Sequence, residues 1–145
     1  MSECLICAQA HADASTQVFA DDDWAAGIIP GFDVPGWIVL RIKRHAVGLQ
    51  GLDARELASF GRRARDVIEA VRRVTGASAT YMMAFGEAHP HYHLLITPRT
   101  AEIPPERRTG DILKLRADHA DLAAATALIP AIRAAYEALA AEPVP

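Results

Sequence analysis

The sequence predicts an α+β fold, in which an antiparallel β-sheet of about five strands carries one long central helix and a C-terminal helix. Three observations support this fold class. Short β-branched and aromatic runs alternate with turn residues, a long run has helical spacing, and the C-terminal part is rich in alanine. The order of strands, helix, strands and helix is typical of α+β proteins in which neighbouring strands run antiparallel.

Five segments are expected to form the strands. Residues 15–20 and 24–29 flank an acidic turn and form a hairpin in this interpretation. Residues 37–42 are β-branched and aromatic, which makes them the clearest strand of the chain. Residues 79–85 and 91–97 lie on either side of a short turn and complete the sheet.

Two helices are expected. Asp53 and Glu56 have the spacing of a capping box, and Gly76 is suited to end the helix that they begin. Between them, apolar residues recur at intervals of three and four and so share one face: Leu57, Phe60, Ala64, Val67, Ile68 and Val71. Residues 121–141 form the second helix, which Pro130 either kinks or begins.

Composition limits the class of protein. The 145 residues are expected to form a single domain, 1–145, with 51% hydrophobic and 23% charged residues, which excludes a disordered chain. A net charge of -3 gives no basic surface for long nucleic acids, although a small phosphate ligand needs only a local positive pocket. No continuous apolar run of about 18 residues was found, so no membrane span is expected.

The N-terminus indicates a cytoplasmic protein. Met1-Ser2-Glu3-Cys4 lacks the charged and then apolar pattern of a secretion signal. In that compartment Cys4 and Cys7 are expected to be reduced and available to a metal.

Three histidines alternate with other residues in the run His89-Pro90-His91-Tyr92-His93. If the run is one strand, the three imidazoles project from the same face, each about 6.6 Å from the next. Three such rings are costly to bury without partners, which favours a function over a packing role. Imidazole can bind a metal or attack an electrophile, because its unperturbed pKa is near 6.5. The spacing alone does not decide between the two.

This run resembles the histidine-triad signature, in which histidine and hydrophobic residues alternate three times and two further hydrophobic residues follow. The hydrophobic places are filled by Pro90, Tyr92, Leu94 and Leu95. Thr97-Pro98-Arg99 is similar to the usual continuation of that strand, and Pro35-Gly36 with the later Lys43-Arg44-His45 resembles a second family segment. The resemblance extends from about Cys4 to Arg99 and implies a histidine-triad fold.

The resemblance also implies a function. The middle histidine, His91, would be the nucleophile that takes up a nucleoside monophosphoryl group, with His93 in support. The expected protein is a homodimeric nucleotide phosphate hydrolase or nucleotidyl transferase that forms a covalent nucleotidyl-histidine. Its expected substrate is a small nucleotide, such as a dinucleoside polyphosphate or a nucleoside phosphoramidate. Gly86, Glu87 and His93 are expected to bind the phosphate.

A zinc site is expected beside this run. Cys4-Leu5-Ile6-Cys7 supplies two ligands of the four that a tetrahedral zinc site needs. Some histidine-triad proteins, and the related galactose-1-phosphate uridylyltransferases, bind zinc through two cysteines, an upstream histidine and the first triad histidine. This resemblance implies a structural zinc on Cys4, Cys7, His45 and His89. A redox pair is the alternative, but no strand precedes Cys4, as a thioredoxin-like pair would need.

The sequence departs from the family pattern in two places. The turn Phe85-Gly86-Glu87-Ala88 lacks the usual Gln and Ser, and the Glu87 carboxylate repels phosphate unless a base such as Arg44 or Arg99 pairs with it. Ile29 stands where a sugar-binding aspartate is usual, with Asp33 as a possible substitute.

Two other functions therefore stay open. One is a metallohydrolase in which all three histidines bind a single metal. The other is a non-catalytic, zinc-stabilised nucleotide-binding protein.

Overall fold

The computed structural model of the protein describes residues 3–145, so that Met1 and Ser2 of the N-terminal segment lie outside the described part. It contains a five-stranded antiparallel sheet of order β1-β2-β3-β5-β4. The strands are β1 (Gln17–Ala20), β2 (Trp24–Gly27), β3 (Ile38–Ile42), β4 (Ala79–Met83) and β5 (His93–Arg99). The α-helices are α1 (Leu5–Ala8), α2 (Ala54–Thr75), α3 (Leu115–His119) and α4 (Leu122–Ala141). The predicted α+β fold is confirmed.

Helix α2 begins and ends where the sequence predicts. The Glu56 N–H donates to the Asp53 carboxylate and the Asp53 N–H donates to the Glu56 carboxylate, both at 2.8 Å. This capping box satisfies two of the free N–H groups of the first turn. Gly76 then ends the helix in the left-handed conformation, with φ of 70°. The buried face of α2 packs against the sheet and includes Ala64, Val67 and Val71.

Helix α4 packs beside α2 and against β1. Asp121 caps its N-terminus, and Pro130 lies well inside the helix, so the alternative of a first-turn proline was wrong. By length and composition alone α4 could cross a membrane, although Arg133 and Glu137 interrupt its apolar residues. Ile129, Ile132 and Leu139 of this helix nevertheless belong to the buried core, and such a core helix passes the same test.

The strand that carries the histidine run differs from the prediction. Strand β5 begins at His93 rather than at residue 91 and continues to Arg99. Ahead of it, the Tyr92 N–H donates to the Ala46 carbonyl at 2.7 Å, and His91 forms one isolated bridge with Val47. The alternation of a regular strand therefore does not extend back to His91 and His89.

The two faces of the sheet have separate cores. Helices α2 and α4 cover one face, where Leu40, Ile42, Leu94 and Ile96 are buried. On the other face, Ile6 of α1 packs with Val39 and Leu95. This second core holds the N-terminal segment against the sheet, close to the start of β5.

Candidate functional site

Four potential metal ligands converge at the start of β5: Cys4, Cys7, His45 and His91. One ligand atom from each lies within 4.8 Å of all the others. The Cys7 sulfur is 3.2 Å from Nδ1 of His45 and 3.3 Å from Nδ1 of His91, and the Cys4 sulfur is 3.6 Å from the latter. In a tetrahedral zinc site with ordinary Zn–S and Zn–N bonds, sulfur and nitrogen ligands lie about 3.5 Å apart. The observed spacing therefore fits a metal ion between them.

Local structure brings these side chains together. Cys4 is the N-cap of α1, and its sulfur accepts a hydrogen bond of 3.3 Å from the Cys7 N–H, so both sulfurs lie at the first turn. The buried Ile6 fixes that turn in the core. His45 follows β3 and His91 precedes β5, and these two strands pair antiparallel, so the end of one meets the beginning of the other.

His91 is oriented as a metal ligand. Its side chain is buried, with 1% of the residue exposed, and its Nε2–H donates to the Ile42 carbonyl at 2.6 Å. This tautomer leaves the lone pair on Nδ1, which faces both cysteine sulfurs. Burial lowers the pKa of His91, and the charges of His45, His93 and Arg41 lower it further. The hydrogen bond that His91 donates to the Ile42 carbonyl opposes this shift. The neutral imidazole that a metal requires is thus favoured.

The Cys7 thiol needs a nearby positive charge to become a thiolate. Burial raises the pKa of the Cys7 thiol, and the hydrogen bond and charge of Cys4 raise it further. A divalent cation reverses that tendency, because a coordinated thiol is deprotonated. Two sulfurs and two imidazole nitrogens form the donor set of a closed structural zinc site. The residues present therefore fit zinc.

The ligand set corrects one expectation about the histidine run. His91 occupies the place predicted for His89, and His89 lies outside the group. The reason is that β5 begins two residues after His91, which leaves His91 free to turn toward the cysteines. Of the three histidines in the run, His91 alone joins this group within residues 3–145, which argues against the metallohydrolase alternative.

The proposed role of His91 as nucleophile also needs correction. A nucleophilic imidazole requires one ring nitrogen with a free lone pair. Both nitrogens of His91 already face partners, the cysteine sulfurs on one side and the Ile42 carbonyl on the other. His91 thus has no nitrogen to offer to a substrate.

His93 has the geometry that His91 lacks. Its Nδ1–H donates to the backbone carbonyl of His91 at 2.6 Å. With the proton on Nδ1, the lone pair is on Nε2, and no hydrogen bond to Nε2 is formed by any residue from 3 to 145. The side chain is half-buried, so this nitrogen is held in a fixed direction and stays accessible.

Two cavities meet at His93. One has a volume of about 380 Å³ and extends past Phe85 to the segment 47–50. The other, of about 200 Å³, is lined by Phe32, Gly86, Glu87, His89, His93 and Arg116. The three predicted phosphate-binding residues, Gly86, Glu87 and His93, thus line one cavity together. Gly86 has φ of 71°, which a residue with a side chain rarely adopts.

The Glu87 carboxylate does not form an ion pair with either of the two arginines considered from the sequence, Arg44 and Arg99. Arg44 pairs with Glu56 at 2.6 Å instead of with Glu87. Within the described residues, no arginine or lysine, Arg99 included, lies within ion-pair distance of the Glu87 carboxylate. Ile29, which stands where a sugar-binding aspartate was expected from the resemblance, is 2% exposed and is part of the core.

Two residues that line this site, Arg116 and Phe32, were not predicted from the sequence. Arg116 of α3 donates from Nε to the Gly31 carbonyl at 2.7 Å, and its guanidinium lies 4.0 Å above the centre of the Phe32 ring. No local pattern signals this contact, because Arg116 and Gly31 are 85 residues apart in sequence.

The chain is similar to solved structures, although no protein-family model and no curated protein matches its sequence. A hypothetical histidine triad nucleotide-binding protein from Sulfolobus tokodaii has 17% identity and a TM-score of 0.74, over 94% of this chain and 93% of that one. A zinc-bound histidine triad family protein from Mycobacterium smegmatis has 21% identity and a TM-score of 0.64, over 97% and 98%.

A uridylyltransferase is also similar, with 17% identity and a TM-score of 0.66 over 94% of this chain. This chain covers 46% of that enzyme, so it spans about half of its length. At such identities the likeness is one of fold. The protein has the histidine-triad fold.

Proposed function

We propose that the protein is a nucleotide phosphate hydrolase or nucleotidyl transferase that works through a covalent nucleotidyl-histidine on His93. The observation that carries this proposal is the hydrogen bond of 2.6 Å from Nδ1 of His93 to the His91 carbonyl. It leaves Nε2 as the nucleophilic atom at the junction of two cavities. The similar fold of a nucleotide-binding histidine triad protein supports a nucleotide as substrate.

The reaction has two displacements. In the first, Nε2 of His93 forms a bond to phosphorus while the bond from phosphorus to the leaving group breaks and its electron pair goes to the leaving atom. Positive charge develops on the imidazole, and the His91 carbonyl stabilises it through the Nδ1–H hydrogen bond. In the second, water or another acceptor attacks phosphorus and gives up its proton to the group that protonated the leaving atom in the first step, and the electron pair of the N–P bond returns to Nε2.

His89 is placed to protonate the leaving group. Its ring centre lies 6.4 Å from that of His93, and both side chains line the same cavity. This separation leaves room for a leaving oxygen or nitrogen between the two rings. We therefore assign His89 the role of general acid, which an imidazole in this position can fill.

Zinc on Cys4, Cys7, His45 and His91 would be structural, because four protein donors complete its tetrahedral shell and leave no position for a water molecule. Its effect on the reaction is indirect. The side chain of His91 would bind the metal, while its backbone carbonyl accepts the hydrogen bond from His93. A metal that holds the His91 side chain in place would therefore also hold the carbonyl that orients His93.

The experiment is incubation of the protein with nucleoside phosphoramidates and dinucleoside polyphosphates, followed by product analysis. His93→Ala is expected to abolish turnover, whereas His89→Ala lowers it by about 10²-fold, the usual contribution of one general acid. Turnover by His93→Ala at the rate of the unmodified protein contradicts the proposal.

A second candidate function is a nucleotide-binding protein without turnover. Two observations favour it: Ile29 is buried where a sugar-binding aspartate is usual, and the turn at Gly86 and Glu87 lacks Gln and Ser. Nucleotide binding without turnover across the whole panel would support this candidate. A cytoplasmic location and a homodimer stay predictions, the latter to be checked by sedimentation.

A further inference from the structure

Arg116 is exposed to solvent but anchored by two contacts at one wall of the smaller cavity. Its Nε–H is bonded to the Gly31 carbonyl, and its guanidinium is stacked on Phe32. Gly31 has φ of 87°, and a Cβ added there would lie 3.6 Å from a terminal nitrogen of Arg116. The guanidinium thus lies flat against this turn. A side chain that is already ordered loses little entropy when it binds a ligand.

The guanidinium keeps its terminal nitrogens for a ligand. Arginines of α2 such as Arg62, Arg65 and Arg72 pair with carboxylates at 2.7 or 2.8 Å. Across residues 3–145, by contrast, no carboxylate lies within 4.0 Å of Arg116. Arginine binds phosphate and carboxylate through two parallel N–H groups, which is the geometry that its terminal nitrogens offer.

Arg116 shares its cavity with the proposed nucleophile. The cavity of about 200 Å³ reaches from His93 and His89 to Arg116, and its walls are largely apolar, with Met83 and Leu95 among them. Apolar walls strengthen the attraction of a fixed charge for an anion. Glu87 is the acidic residue of the same lining, and its carboxylate repels an anion from the part of the cavity that it lines.

We propose that Arg116 binds the anionic leaving group of the substrate. The enzyme then prefers substrates whose leaving group carries phosphate, such as dinucleoside polyphosphates, over those that release a neutral amine. This inference rests on the proposed function, because it takes His93 as the point of attack. It assigns to Arg116 the anion contact that the altered turn at Gly86 and Glu87 does not supply.

The kinetic test compares two substrates with the same nucleoside, one a dinucleoside polyphosphate and the other a phosphoramidate with an uncharged amine. Arg116→Met keeps an unbranched side chain beside Phe32 and removes the charged guanidinium. We expect kcat/KM for the polyphosphate to fall about tenfold or more, as for loss of a charge-assisted hydrogen bond, and kcat/KM for the phosphoramidate to change by less than about twofold. An equal fall for both substrates, or no fall for either, overturns the inference.

The matched control is Arg133→Met. Arg133 is also bonded to backbone carbonyls, those of Ala14 and Gln17, but it lies against β1 and away from His93. It reports any general effect of losing an arginine that ties a helix to a loop. We expect the same ratio of the two kcat/KM values as in the unmodified protein; a change of ratio as large as that of Arg116→Met contradicts a specific role for Arg116.

A binding measurement separates this inference from the proposed function. Calorimetry with inorganic pyrophosphate on the zinc-loaded protein is expected to give binding that His93→Ala retains, that Arg116→Met weakens about tenfold or more, and that Glu87→Gln strengthens. If no substrate is turned over, the proposed function fails while this pattern still supports anion binding by Arg116. Equal affinity in the unmodified protein and Arg116→Met, or no binding at all, overturns the inference.

Discussion

The backbone carbonyl of His91 accepts a hydrogen bond of 2.6 Å from Nδ1 of His93. The side chain of the same His91 faces Cys4 and Cys7. One residue therefore connects the candidate metal site to the candidate nucleophile. The His91 carbonyl can orient the His93 imidazole only while the His91 ring is itself held in place.

Metal binding should depend on His91 and not on His89. His91→Ala removes one of the four converging ligands, so we expect at least a 10-fold loss of zinc affinity, as is usual even for outer-shell partners of a metal. His89→Ala removes no ligand and should keep about one zinc per chain. Elemental analysis after dialysis checks both variants. Zinc loss in His89→Ala with full retention in His91→Ala would restore the ligand set expected from the sequence.

Removing the metal should destabilise the protein. Through a bound metal, Cys4 and Cys7 would join the N-terminal segment to His45 and His91, which flank two strands, so the free energy of zinc binding would add to that of folding. A strong chelator is therefore expected to lower the Tm, and Cys7→Ser should lower it without any chelator. Addition of zinc should restore the Tm of the chelated protein but not that of Cys7→Ser. An unchanged Tm on complete metal removal would speak against a structural site.

Asp66 should contribute to stability more than any surface carboxylate of α2. Its side chain is fully buried and accepts hydrogen bonds from Arg62 at 2.8 Å and Arg65 at 2.7 Å. Arg62 also donates to the Leu139 carbonyl near the end of α4, so Asp66 orients a contact between the helices. Asp66→Ala is expected to lower the free energy of unfolding by about 1–3 kcal/mol, less than a fully buried pair because both arginines are partly exposed.

The control for Asp66 is Glu69→Ala in the same helix. Glu69 pairs with Arg72 and Arg73, which are both about half exposed. We expect Glu69→Ala to lower the free energy of unfolding in urea by less than Asp66→Ala does, because solvent screens the half-exposed arginines. A cost for Glu69→Ala equal to that of Asp66→Ala would show that burial of the pair does not matter.

Glu69 should make stability depend on pH in acid. The hydrogen bond from Arg72, together with that from Arg73, lowers the pKa of Glu69 from 4.5 to about 2. A carboxyl group with a depressed pKa stabilises the folded state above its unfolded pKa, and this contribution is lost as the pH falls through the folded value. The free energy of unfolding should therefore fall less steeply from about pH 5 to about pH 2 in Glu69→Gln than in the unmodified protein. Identical slopes would contradict the ion pair.

The sequence was sufficient wherever the determining contacts are local. The capping box of Asp53 and Glu56 predicted the start of α2, and Gly76 predicted its end. The β-branched run before His45 predicted β3 to within one residue. Three of the four converging ligands, Cys4, Cys7 and His45, were expected from the family resemblance.

The roles of the three histidines could not be read from local alternation. The start of β5 depends on contacts with a distant segment, such as the Gly48 N–H to the Pro90 carbonyl at 3.2 Å. These contacts interrupt the strand pattern, so that His91 turns to the cysteines. For this reason the proposed nucleophile is His93, two positions after the one expected from the sequence. Arg116 was missed for the same reason, because its partner Gly31 is remote in sequence.

The most direct test of the central claim is to locate the covalent adduct. The protein is mixed with a nucleoside phosphoramidate, quenched at alkaline pH and digested, and mass spectrometry then identifies the modified histidine. We predict a nucleoside monophosphoryl group on His93 and none on His91 or His89. An adduct on His91, or one that still forms in His93→Ala, would contradict the account.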